Sequence, residues 1–177
     1  MYSYLITDPK FYINFKSTLT KAIENHNPDF ICFRDKTSTK NAKLAIEIAK
    51  YYQIPIIINQ YVELLKLGFD GVHLTSNQLN LIDSYKECIT FASTHNIDEV
   101  NNAKNADYIT FSPVFASKGR KGLGIEKLNE IVTITDSKVF ALGGITTNKE
   151  VELIKNSKAY GFASIRYFIG EDDGKIS

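Results

Sequence analysis

The stretch Lys138-Val-Phe-Ala-Leu-Gly-Gly-Ile-Thr-Thr147 holds a complete structural unit. Its apolar run reads as a strand buried on both faces. The run stops at Gly143-Gly144, where absent Cβ atoms let the backbone turn sharply and approach a ligand closely. Thr146 or Thr147 then offers an N-cap for a helical pattern through Val151, Leu153 and Ile154. A glycine pair between a buried strand and a helix start leaves amides pointing outward, which makes a ready phosphate cradle. The plainer alternative is a tight strand-to-helix turn without a ligand.

Working outward, the same unit recurs along the whole chain. Strands are predicted at 2–8, 30–36, 54–60, 71–75, 88–94, 108–115, 138–143 and 161–167. Between them lie helical patterns, including Phe11–Ile23, Ala42–Tyr52, Val62–Leu67, Leu79–Ser84, Asp98–Ala106, Ile125–Thr135 and Lys149–Asn156. Strands this apolar, alternating with amphipathic helices, imply a parallel sheet covered on both faces. Eight such units in order favour a single compact (βα)8 TIM barrel over an open doubly wound sheet. The open sheet would carry its glycine fingerprint at the first strand-to-helix turn, and nothing of that kind stands near residue 8. Only Ile169–Ser177 follow the last strand, so the final helix is expected to be stunted. The outer flank near strands eight and one would then need a homodimer partner or packing from the tail.

With 177 residues and 44% hydrophobic content, the chain is long enough for one domain with a sizeable core. Lys+Arg 21 against Asp+Glu 20 leaves a net charge of +1, without the electrostatic footprint of a nucleic-acid binder. No apolar run reaches the ~18 residues of a membrane span, and Met1 leads into a strand-like segment rather than a signal peptide. Cys32 and Cys88 lie in apolar runs without metal-ligand spacing and read as core thiols. A cytoplasmic enzyme or binding protein fits these features.

Chemistry in such a barrel sits at the C-terminal ends of its strands. Strand two ends Cys32-Phe33-Arg34-Asp35-Lys36, and alternation puts Cys32, Arg34 and Lys36 on one face. Two cations aimed into the mouth would suit an anionic ligand, unless they reach solvent or pair with a nearby carboxylate. Strand three ends in the amides of Asn59 and Gln60, and strand five carries Ser93 and His95 on one parity. His73 reads as a packed, hydrogen-bonded core histidine, His95 as a helix neighbour, and His26 as a helix-end cap. After strand six, Ala116–Gly122 carries Lys118, Arg120 and Lys121, a basic loop that either folds over an anion on glycine hinges or is simply solvated. Ser164 and Arg166, near the end of strand eight beside the glycine pair, complete the region where barrels commonly bind phosphate.

These residues, taken in order, resemble the thiamine phosphate synthase/TenI family. The resemblance rests on Phe33-Arg34-Asp35-Lys36, Ile58-Asn59, Asp70-Gly71-Val72-His73-Leu74, Ser93-Thr94-His95, Ala106-Asp107-Tyr108-Ile109, Phe111-Ser112-Pro113-Val114-Phe115, Gly122-Leu123 and Ala141-Leu142-Gly143-Gly144-Ile145. It covers essentially the whole chain and implies a (βα)8 barrel, usually dimeric, that binds a phosphorylated small molecule. The synthase joins a pyrimidine methyl pyrophosphate to a thiazole phosphate, with Mg²⁺ and cationic side chains stabilising the departing pyrophosphate. By resemblance, Arg34, Lys36, Asn59, Ser93 and Lys118 match pyrophosphate and pyrimidine contacts, with Lys36, Ser93 and Lys118 as the catalytic candidates. Gly143, Gly144, Ser164 and Arg166 match the thiazole-phosphate side.

The departures point to a particular branch. Gln60 stands where the synthase has an acidic residue, Gln78 where it has its second metal-binding aspartate, and Cys32 where it has a glutamine. Hard Mg²⁺ prefers carboxylates, so no metal is expected here unless the protein is an active synthase. These replacements resemble the TenI branch of thiazole tautomerases, although Pro113 matches the position of the tautomerase histidine. The expected function is a TenI-like protein of thiamine biosynthesis that binds thiazole phosphate or thiamine phosphate. An active synthase and a non-catalytic regulatory subunit are the alternatives.

Overall fold

In the computed structural model, which describes residues 1–170, parallel strands close into a barrel in sequence order, and β8 returns to pair with β1. The strands are β1 (Tyr2–Ile6), β2 (Phe30–Phe33), β3 (Ile56–Asn59), β4 (Gly71–Leu74), β5 (Ile89–Thr94), β6 (Tyr108–Phe111), β7 (Lys138–Leu142) and β8 (Gly161–Ser164). Around them lie α1 (Phe15–His26), α2 (Ala42–Tyr51), α3 (Ile97–Asn102), α4 (Gly124–Thr133) and α5 (Asn148–Lys155). The third and fourth helical positions are filled by 3₁₀ helices, Val62–Leu67 and Ser76–Tyr85. The first ends at Gly68 in the left-handed region, and the second opens on a capping box between Thr75 and Gln78. No described helix is long and apolar enough to cross a membrane.

Strand alternation divides the apolar residues into two cores. Leu5, Ile31, Phe33, Ile56, Ile58, Val72, Ile109, Val139 and Phe162 pack outward against the helices. Tyr4, Ile6, Phe30, Cys32, Ile57, Phe91, Phe140 and Ala163 fill the barrel itself. The inner core is aromatic, with ring centroids of Phe91 at 4.2 Å from Tyr4, 4.5 Å from Tyr108 and 5.6 Å from Phe140. Rings of this size need small neighbours. A Cβ on Gly161 would come within 2.4 Å of the Tyr2 carbonyl oxygen and 2.6 Å of the Phe140 ring.

At the opposite end from the mouth, one aspartate device repeats. Asp29, Asp70 and Asp107 each directly precede an even-numbered strand and accept hydrogen bonds from the preceding odd-numbered one. Asp29 accepts from Ser3 N–H at 2.7 Å, Asp70 from Ile56 N–H at 2.9 Å, and Asp107 from Thr90 N–H at 2.8 Å. These clamps satisfy donors at strand starts, where the barrel ladder has run out.

Several strands end earlier than their apolar runs suggest. β2 stops at Phe33 rather than Lys36, because the Thr7 hydroxyl accepts from Arg34 N–H (2.9 Å) and donates to the Arg34 carbonyl (3.2 Å). β6 stops at Phe111 rather than Phe115, since the chain beyond reaches across to β7 through Val114 N–H and the Leu142 carbonyl (2.8 Å). β8 stops at Ser164 rather than Tyr167, where the Ser164 hydroxyl accepts Tyr167 N–H and starts a turn.

Among the described residues no helix follows β8. Part of the flank beside β8 is covered from within the chain. Phe168 is 2% exposed and its ring lies parallel to Phe162 at 5.8 Å. His26 takes part here instead of capping α1: its ring packs on Tyr167 (5.1 Å) and Phe168 (5.5 Å). The cap is made by Asn27, in the left-handed region, whose N–H bonds the Ile23 carbonyl. The rest of the tail, 171–177, lies outside the described residues.

Candidate functional site

All the candidate residues lie at or beyond the C-terminal ends of the strands, so barrel closure gathers them at one mouth. On the β7–β8 side, Gly143 (φ +97) and Gly144 (φ +71) both occupy the left-handed region. Neither tolerates a side chain. A Cβ on Gly143 would stand 2.8 Å from Pro113 Cα, and one on Gly144 would stand 2.6 Å from the Ala116 carbonyl oxygen. Among the described residues, the N–H groups of Gly143, Gly144, Ile165 and Arg166 donate to no protein acceptor. Thr147 is the N-cap of α5, in a capping box with Glu150, which fixes the direction of the turn.

Ser164 braces this turn rather than lying open to the mouth. It is 4% exposed, its hydroxyl donates to the Ile145 carbonyl (2.7 Å), and it accepts Tyr167 N–H. Arg166 is exposed and makes no ion pair among the described residues. The basic loop after β6 is a tight turn on a tied base. Ser117 and Arg120 exchange backbone hydrogen bonds at 3.0 Å across a two-residue tip, Lys118-Gly119, with both residues at positive φ. Its base is tied by bonds from Leu123 to Pro113 and from Gly124 to Val114, and Gly122 is pressed on Val114 too closely for any Cβ. Lys118 is exposed at the tip.

On the β2–β5 side the expected pair of inward cations separates. Arg34 is half-buried and forms an ion pair with Asp8, the carboxylate partner that alternation alone could not locate. Lys36 lies past the end of β2 and is exposed, so strand alternation does not carry to it. Asp35 between them is buried. Burial pushes its carboxyl up, but hydrogen bonds from Thr37 and Ser38 outweigh this and hold it below the usual value. Asn59 is buried and donates to the His73 carbonyl (3.1 Å). His73 and Ser93 lie within hydrogen-bond reach (2.9 Å), and His95 pairs with Glu99 at the start of α3, as a helix neighbour would.

Gln60 and Gln78 meet where β3 and β4 end. The Gln78 side-chain oxygen accepts from Thr75 N–H (3.1 Å) and its hydroxyl (3.0 Å), while the side-chain NH₂ donates to the Gln60 carbonyl (3.0 Å). A carboxylate at 78 could keep the cap but could not donate to that carbonyl. Gln78→Glu is therefore expected to destabilise the fold by about 1–3 kcal/mol, read as a lower urea midpoint. Unchanged stability would show that the bridge contributes nothing.

Two features had no signal in local sequence. Tyr4 sits in β1 as an ordinary strand aromatic, yet its hydroxyl lies 3.1 Å from His73 Nδ1. Tyr12, beside a cleft lined by Asp8, Arg34, Asp35 and Lys40, buries a hydroxyl without a partner among the described residues.

The chain is similar to known proteins. The family model for thiamine monophosphate synthase matches residues 3–168. The thiamine-phosphate synthase of Halalkalibacterium halodurans is 30% identical, over 83% of this chain and 77% of its own. That of Fusobacterium nucleatum subsp. nucleatum is 30% identical, over 97% and 91%. In architecture, the thiamine phosphate pyrophosphorylase of Pyrococcus furiosus superposes with a TM-score of 0.84 at 24% identity, covering 98% of this chain and 89% of that one. With the family model spanning nearly every described element of the barrel, the chain belongs to the thiamine monophosphate synthase (TMP-TENI) family.

Proposed function

We propose that this protein is a TenI-like member of the family, acting in thiamine biosynthesis in the cytoplasm, that binds thiazole phosphate or thiamine phosphate at the barrel mouth. The observation that carries the phosphate half is the turn at Gly143-Gly144, with unpartnered N–H groups there and at Ile165 and Arg166. Arg34, Lys36, Asn59, Ser93 and Lys118 are the proposed contacts on the other flank, and a homodimer is the proposed assembly. Active members of the family use Mg²⁺, but the residues here do not fit that ion. Gln60 and Gln78 are neutral, and the Gln78 side-chain oxygen already accepts two hydrogen bonds while its NH₂ donates to the Gln60 carbonyl. The nearby carboxylates of Asp8 and Asp35 are likewise held by Arg34 and by Thr37 and Ser38. A synthase reading is favoured by the names of the relatives, and would require the basic side chains at the mouth to carry the pyrophosphate charge.

The test is binding by calorimetry of thiazole phosphate, thiamine phosphate and pyrophosphate, with and without Mg²⁺, alongside a synthase assay. Phosphate-ester binding that ignores Mg²⁺, with negligible turnover, is the expected result. Thiamine phosphate formation at a rate typical of an enzyme would overturn the TenI-like reading. Gly144→Ala should weaken phosphate-ester binding at least about tenfold, since a Cβ there runs into the Phe115–Ala116 backbone and shifts the turn that presents the N–H groups. Equal affinity in that variant, checked for folding by circular dichroism, would remove the cradle from the site.

A further inference from the structure

A hydrogen-bonded chain runs up the barrel interior from β1 to the mouth. Tyr4 Oη lies 3.1 Å from His73 Nδ1, and His73 Nε2 lies 2.9 Å from Ser93 Oγ. Cys32 Sγ is 3.9 Å from the same Nδ1. Tyr4 and His73 are buried and Ser93 is partly open. Burial, with the charge of Arg34 behind it, lowers the His73 imidazole to about 3, so the ring carries a single N–H. The Tyr4 phenol, raised by its own burial, keeps its proton.

Which ring nitrogen holds the hydrogen follows from what Tyr4 can do with its own. An unmade hydrogen bond from a buried hydroxyl costs about 1–3 kcal/mol. Within reach of Tyr4 are an imidazole nitrogen, a strong acceptor, and the Cys32 thiol, a weak one. Tyr4 therefore donates to Nδ1, which places the ring hydrogen on Nε2. Ser93 Oγ accepts that hydrogen and cannot give its own to His73. Thr110, the cross-strand partner of Ser93, makes no hydrogen bond through its hydroxyl among the described residues and so does not take it either. The direction left for the Ser93 hydrogen is the open mouth.

We propose that Tyr4 and His73 are positioning residues that fix the Ser93 hydroxyl as a hydrogen-bond donor facing the mouth, aimed at an acceptor on the part of the ligand that lies away from the phosphate cradle. In this arrangement His73 is not a base for Ser93, and Ser93 is not a nucleophile. The ligand half of the statement rests on the phosphate-ester reading above, while the tautomer stands independently of it.

The experiment is a long-range ¹H–¹⁵N correlation on the His73 ring in the unliganded full chain, with thiamine phosphate affinities for the parent, Tyr4→Phe and Ser93→Ala. The Nε2–H tautomer is expected in the parent, with loss of its exclusive population in Tyr4→Phe. Both variants should bind thiamine phosphate about two- to tenfold more weakly, as removal of one uncharged hydrogen bond implies. A parent ring protonated at Nδ1 overturns the inference even if Tyr4→Phe fails to fold. An Nε2–H parent in which Ser93→Ala binds as tightly as the parent overturns the donor role of Ser93. No thiamine phosphate binding by the parent would instead fail the phosphate-ester reading and leave the tautomer result to stand.

Discussion

Gly71→Ala is expected to remove more than about 4 kcal/mol of stability and to leave little folded protein at ambient temperature. Gly71 stands at the start of β4, where a Cβ would come within 2.1 Å of the Ile89 carbonyl oxygen and 2.7 Å of Ile89 Cβ. Ile89 is its register partner on β5, so the neighbour in the way is ladder backbone rather than the end of a flexible side chain. Relief would require β4 and β5 to part, and in a closed barrel that displacement passes to every other strand. Gly119→Ala is the matched control. It sits at φ +74 with nothing within 4 Å of a new Cβ, so it meets only the left-handed strain of about 1–2 kcal/mol. Urea unfolding of the two variants compares close contact with conformation alone. Equal midpoints would show that the barrel yields at β4–β5, contrary to the packing argument.

Acid should destabilise the protein well above the range where carboxylates protonate. Buried His73 takes up no proton until about pH 3, whereas an unfolded imidazole does so near 6.5. As pH falls between those values the unfolded chain gains a proton that the folded chain refuses. Stability is therefore fully present above about 6.5 and declines below it at about 1.4 kcal/mol per pH unit. His26, lowered by its partial burial, adds a weaker change of the same sign. Asp35 and Glu150 are held below the usual carboxylate value by hydrogen bonds that outweigh their burial. Their contribution is present above the unfolded carboxylate pKa and is lost as pH falls through the folded value, so it lies below about pH 4. Urea midpoints measured from about pH 6.5 down to about 4.5 isolate the histidine term. A flat profile there would contradict a neutral, buried His73, and a His73→Gln variant that folds should lose most of the slope.

How much was legible in the sequence depends on how far apart the interacting groups lie. The strand ends were misplaced at Lys36, Phe115 and Tyr167 because apolar alternation continues past the point where the ladder stops. What stops it is a hydrogen bond from elsewhere, as Thr7 supplies at Arg34. The packed character of His73 was legible, and its partners were not, since Tyr4 is 69 positions away and Ser93 is 20. The inward pairing of Arg34 with Lys36 failed for the same reason: Asp8, 26 positions earlier, claims the guanidinium. The tight tip and tied base of the basic loop were not legible either, since Gly122 lies against Val114, which is reached only through the fold.

By itself the sequence determined the barrel, the order of its strands, the turn at Gly143-Gly144 and the capped start of α5. Each of these is set by residues within about one helical turn or one strand of each other, where periodicity, absent Cβ atoms and side-chain caps act directly. Tertiary structure alone decided the ion pair of Arg34, the bridge from Gln78 to Gln60 and the chain from Tyr4 to Ser93. Those bonds join different strands and loops, and their donors and acceptors come within reach of one another only when neighbouring strands pair, for the first two, and when the strands enclose a common interior, for the third.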